Sequence, residues 1–148
     1  MLIGLVIVPI TWHNYSKAKQ GQYTNFDVSD RTQRSGFYHV LLLLSGLFIL
    51  FLLLTDLYQP FNRGAICFFL LLVVSYVANF FLKVSLHTSI NLFLACALYE
   101  LDKPTGLLMG VFSVLVALSR LVLKRHTSSE VMMGGLIGFL AGVILLES

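Results

Sequence analysis

Charge is scarce in this chain. Only 11% of its 148 residues are Asp, Glu, Lys or Arg, and 57% are hydrophobic. Soluble domains carry roughly 25% charged residues. So few charges exclude a globule covered with polar groups, and much of the surrounding solvent must be lipid. Cysteine is rare too. Cys67 and Cys96 both sit inside apolar runs and read as small hydrophobes, silent about redox compartment. The opening "MLIGLVIVPI" has no basic start and no small-residue cleavage site, so it is not expected to be a signal peptide. It reads as the tail of a further span with Pro9 near its end, so N-terminal sequence is expected to be missing. The net charge of +3 is modest and the basic residues fall in short loops, which excludes a nucleic-acid surface.

What is present is a series of apolar runs, at about 36–55, 64–82, 86–99, 105–123 and 131–146. A spanning helix needs roughly 17–25 residues. The second and fourth runs meet that, the first does so with its flanks, and the third and fifth are short. The expectation is all-α: one domain over 1–148, a transmembrane bundle of about five full spans plus a partial N-terminal one. Alternation places residues 11–35, 83–87 and 119–130 on one membrane face. That face holds Lys17, Lys19, Arg31, Arg34, Lys83, Arg120, Lys124 and Arg125, while Arg63 and Lys103 lie on the other. The positive-inside rule would make the first face cytoplasmic, unless some of these cations serve an anion instead. Gly134, Gly138 and Gly142 recur every four residues. That register brings helices close, within the bundle or across a homodimer seam.

The stretch "SRLVLKRHTSSE", 119–130, gathers unusual chemistry for so apolar a chain. Arg120 suits phosphate through its planar fork, and Lys83 as a point charge. Ser85 opens a helix, where free N–H groups favour an anion. His87 and His126 can move protons near neutral pH or act as nucleophiles. His126 and Glu130, four apart, share a helix face, so the carboxylate can orient the imidazole. "TSSE" is equally a capping box, in which Glu130 bonds the Thr127 N–H. The set suits phosphoryl transfer by a cationic clamp, a nucleophile and a proton donor. A metal held by His87, His126 and Glu130 is the less favoured reading, because Arg120 and Lys83 would repel it.

Ser119-Arg120, five residues, His126, three residues, Glu130 resembles the S-R-x5-H-x3-D signature of the type 2 phosphatidic acid phosphatase superfamily. Ser85-Leu86-His87 resembles that family's S-G-H element, in the expected order. Of the usual K-x6-R-P element, Arg34 matches the arginine, while Asp27 and Ser35 stand at the lysine and proline positions. The resemblance covers about residues 25–146. It implies that His126 attacks phosphorus, Glu130 orients it and His87 protonates the leaving oxygen. Arg120, Arg34 and Ser85 would hold phosphate oxygens, with no metal or other cofactor. Lys83 and Arg31 join the phosphate-binding set because they lie next to matched elements. The expected function is hydrolysis of a lipid phosphate or pyrophosphate in the membrane. The alternative is a non-catalytic protein of the same fold that binds anionic head groups. Family members often act on the outer side, so the side of the membrane stays open.

Lys124 and Arg125 also read as snorkelling anchors, and Trp12, His13 and Tyr15 as an interfacial belt. His39 reads as interfacial or site-lining. Asn79 and Asn91 read as hydrogen-bond partners between helices.

Overall fold

The computed structural model describes positions 12, 15, 16 and 19, residues 31–55 and residues 59–147, with the side chains of 31–35 and 59–61 outside the description. Chain contacts form two compact units, 1–55 and 56–148. The described residues form five α-helices and no strand. In the first unit, α1 runs Arg31–Thr55. Its buried positions Tyr38, Leu41, Ser45 and Leu52 fall on one face, at the spacing a 3.6-residue period gives. The Ser45 hydroxyl donates back to the Leu41 carbonyl (2.8 Å), so this buried polar group is satisfied within the helix.

The second unit contains α2 (Gln59–Ala78), α3 (Leu86–Leu101), α4 (Lys103–Val122) and α5 (Ser128–Glu147). The short α3 is the central element, packed on α4 and α5, while α2 packs mainly on α5. The glycine register explains this closeness. A Cβ on Gly134 would stand 2.5 Å from the Ser85 carbonyl oxygen, one on Gly138 would strike the Ser89 carbonyl, and one on Gly142 would stand 2.5 Å from Cys96 Sγ. The register therefore serves packing within the chain, and a second copy would have to displace α3 to use that face. Cys96 fills the gap at Gly142 and Cys67 is buried on α2; both are free thiols.

A single residue joins α3 to α4. Asp102 ends the first helix, its N–H on the Leu98 carbonyl (2.8 Å), and caps the second, its Oδ2 accepting from the Thr105 N–H (3.0 Å) and hydroxyl. Pro104 lies in the first turn, where a missing N–H costs nothing. Gly106 lets α4 rest directly on the backbone of Tyr99.

Three helices are long and apolar enough to cross a membrane: Gly36–Thr55, Lys103–Val122 and Ser128–Glu147. Two expectations about the runs are corrected. The fifth is not short, because its helix begins at Ser128 and fills 20 residues. The second does not reach 82. Helix α2 stops at Ala78, and Asn79–Leu82 form turns. Hydrophobicity continues there beyond the helix.

Candidate functional site

The site is built where α4 hands over to α5. The last turn of α4 closes with two crossed bonds, Arg125 N–H to the Arg120 carbonyl (3.0 Å) and Lys124 N–H to the Leu121 carbonyl (3.0 Å). This is a Schellman closure, which needs a left-handed residue at its apex. Lys124 takes that role with φ 52°, where glycine is usual and a side chain is strained. The Arg120 carbonyl also accepts the His126 N–H (3.3 Å). The five residues between Arg120 and His126 thus form one closed loop that fixes the two backbones to each other.

Helix α5 then starts with a reciprocal cap. Glu130 Oε2 accepts the Thr127 N–H (3.1 Å), while the Glu130 N–H reaches the Thr127 hydroxyl (3.4 Å). The same Oε2 lies 2.9 Å from His126 Nδ1. One carboxylate oxygen therefore contacts both the helix cap and the imidazole. A carboxylate accepts, so Nδ1 is placed to donate in this bond. The imidazole is nearly enclosed, its side chain 4% exposed, while that of Glu130 is 17% exposed. Arg120 is half-buried in the last turn of α4, and its Nε is buried.

The α2–α3 connector joins this end of the bundle. The Ser85 N–H donates to the Glu130 carbonyl (3.1 Å), and the Ser85 hydroxyl bonds Thr88 Oγ1 (3.0 Å) in a fully buried position. Ser85 is thus a clip between the starts of α3 and α5. His87, the second residue of α3, is exposed; its carbonyl accepts from Asn91 Nδ2 (2.7 Å). Lys83 is half-exposed just before the clip.

Ser85, His126, Glu130 and the backbone of Arg120 are therefore brought together by direct bonds, with Lys83 and His87 on the adjoining connector and helix. Arg31 and Arg34 fall in the first turn of α1, and their side chains lie outside the described residues, as do Asp27 and His13. His39 is exposed on α1 and Asn79 is buried at the end of α2. Among the described residues no three His, Cys, Asp or Glu side chains are grouped to hold a metal ion.

Sequence reasoning missed two residues. Thr88 holds the Ser85 hydroxyl, and its i+3 spacing was the available signal. Lys124 gives no signal, since lysine is not a residue that marks a left-handed turn. No family model, curated protein or solved structure matches the chain.

Proposed function

We propose that the protein is a multi-pass membrane phosphatase that removes phosphate from a lipid phosphate or pyrophosphate through a phosphohistidine. Helices α2 and α3 would cross the bilayer with α1, α4 and α5, as five spans. At ~24 Å for its 16 residues, α3 is shorter than a ~30 Å hydrocarbon core. It would thin the leaflet or leave a polar recess at one end. The observation that carries the reading is the His126–Glu130 pair, 2.9 Å apart at the capped start of α5.

In this mechanism the Nε2 lone pair of His126 forms a bond to phosphorus as the bond to the leaving oxygen breaks. Glu130 stabilises the cationic imidazole, as a triad carboxylate does. His87 gives its proton to the leaving oxygen. Water then attacks the phosphohistidine, His87 takes the water's proton, and inorganic phosphate departs with His126 restored. Arg120, Lys83, Arg34 and Arg31 would neutralise the phosphate oxygens. Ser85 would contribute by exchanging its Thr88 bond for a phosphate oxygen, or by holding Glu130 in place. The likeness to the type 2 phosphatidic acid phosphatase motifs supports the same roles, with Glu130 where that family has aspartate and Leu86 where it has glycine.

The test is phosphate release by purified protein from a panel of lipid phosphates in excess EDTA. Turnover is expected, and His126→Ala should abolish it. Anionic lipid binding without release from any substrate would overturn catalysis and leave the non-catalytic reading.

A further inference from the structure

The α2–α3 connector carries bulky apolar side chains where a connector facing water would carry polar ones. Phe80, Phe81 and Leu82 are 58%, 78% and 43% exposed. Their display is ordered. The N–H groups of Asn79, Phe80, Phe81 and Leu82 each donate to a carbonyl between Ser75 and Ala78, at 2.8–3.1 Å, and the Tyr76 and Phe80 rings pack edge to face, 5.1 Å apart. Backbone immersed in hydrocarbon must satisfy its donors internally, and this turn does so. Water requires no such closure.

The end of α4 and the connector after it repeat the pattern. Val122 and Leu123 are 79% and 63% exposed, and Lys124 and Arg125 follow at once. Both connectors pass from exposed apolar residues to basic ones. The Ser85–Glu130 bond fixes them at one level, the first turn of α5. The charge at that end is one-sided. Among the acids of α3–α5 and their junctions, Glu100, Asp102 and Glu147 lie at the opposite helix ends, leaving Glu130 against Arg120, Lys83, Lys124 and Arg125.

We propose that these connectors are seated in the leaflet on the His126 side. Phe80, Phe81, Leu82, Val122 and Leu123 lie among acyl chains, and Lys83, Lys124 and Arg125 lie among anionic head groups. The ordered turn is a lipid-immersed lip beside the His126–Glu130 pair, and the partner it fits is an anionic lipid surface. The claim concerns immersion and needs no catalysis, so it stands or falls apart from the phosphatase reading.

The test uses full-length protein in phosphatidylcholine–phosphatidylglycerol vesicles, with the single Trp12 replaced by Phe. Phe81→Trp supplies one fluorophore and Val122→Trp, in a separate variant, a second. Both should be quenched by lipids brominated near the head-group end of the acyl chain and be insensitive to aqueous iodide. Brominated phosphatidylglycerol should quench more than brominated phosphatidylcholine. Combining Lys83→Gln, Lys124→Gln and Arg125→Gln should remove that difference. Iodide quenching of both fluorophores without lipid quenching would overturn immersion. Equal quenching by the two lipids in the unsubstituted background would overturn the anionic preference.

Discussion

A single carboxylate oxygen holds both a helix cap and an imidazole, so changes at Glu130 should separate stability from chemistry. Glu130→Gln keeps an acceptor for the Thr127 N–H, because a capping box takes Glu or Gln. In the proposed reaction it removes the charge that would stabilise the imidazolium. Unfolding in detergent should be nearly unchanged, while phosphate release should fall by up to about 10⁴-fold, as for a triad carboxylate turned amide. Thr127→Ala should do the reverse, costing roughly 0.5–2 kcal/mol as a lost N-cap does, with the His126 pair retained. The two histidines are distinguished by leaving group. His87→Ala should slow the reaction about 10²–10⁴-fold and recover partly on a substrate with a good leaving group, whereas His126→Ala should not recover. Lys124→Gly relieves a left-handed lysine and should stabilise by about 1 kcal/mol in thermal unfolding.

The helices meet through missing side chains. Gly138→Ala drives a methyl into the Ser89 carbonyl, which is backbone and cannot swing aside. Overpacking of this kind costs about 1–3 kcal/mol, and it should also loosen the Ser85 clip one turn away. Gly110→Ala is the control. Nothing lies within 4 Å of its Cβ, so helix propensity should make it neutral or up to about 1 kcal/mol stabilising. The α3–α4 hairpin carries its own pH dependence. Bonds from the Thr105 hydroxyl and then its N–H hold the Asp102 carboxyl below the ordinary aspartate range. A depressed folded pKa contributes stability that is present above the unfolded value and lost as pH falls through the folded one. The wild-type hairpin should therefore weaken below about pH 4, and Asp102→Asn, still a good cap, should not. An acid titration of thermal unfolding on the two proteins compares them.

At the scale of the whole molecule the question is which ends share a side. The Ser85–Glu130 bond puts the α2–α3 and α4–α5 connectors at one end of the second unit, with Asp102 at the other. If α3 crosses the bilayer despite its 16 residues, Lys83→Cys and Arg125→Cys should react with an impermeant thiol reagent from the same side, and Lys103→Cys only from the other. The measurement is made on sealed vesicles, with Cys67 and Cys96 replaced by Ala. Labelling of all three from one side would mean that α3 and α4 form a re-entrant hairpin.

The sequence by itself determined the helical class, because apolar runs with so few charges have almost no other stable form in lipid. It also determined local units set by short spacing, the "TSSE" cap and the four-residue glycine register, whereas His126 precedes α5 and meets Glu130 without sharing a helix face with it. Three things were decided only by tertiary structure. The partner of the glycines depended on which helix came close enough to need them, and that was α3. The use of the Ser85 N–H depended on a carbonyl 45 residues along the chain. The end of α2 at Ala78 was hidden because hydropathy measures preference for lipid, and Phe80, Phe81 and Leu82 keep that preference after the chain has turned.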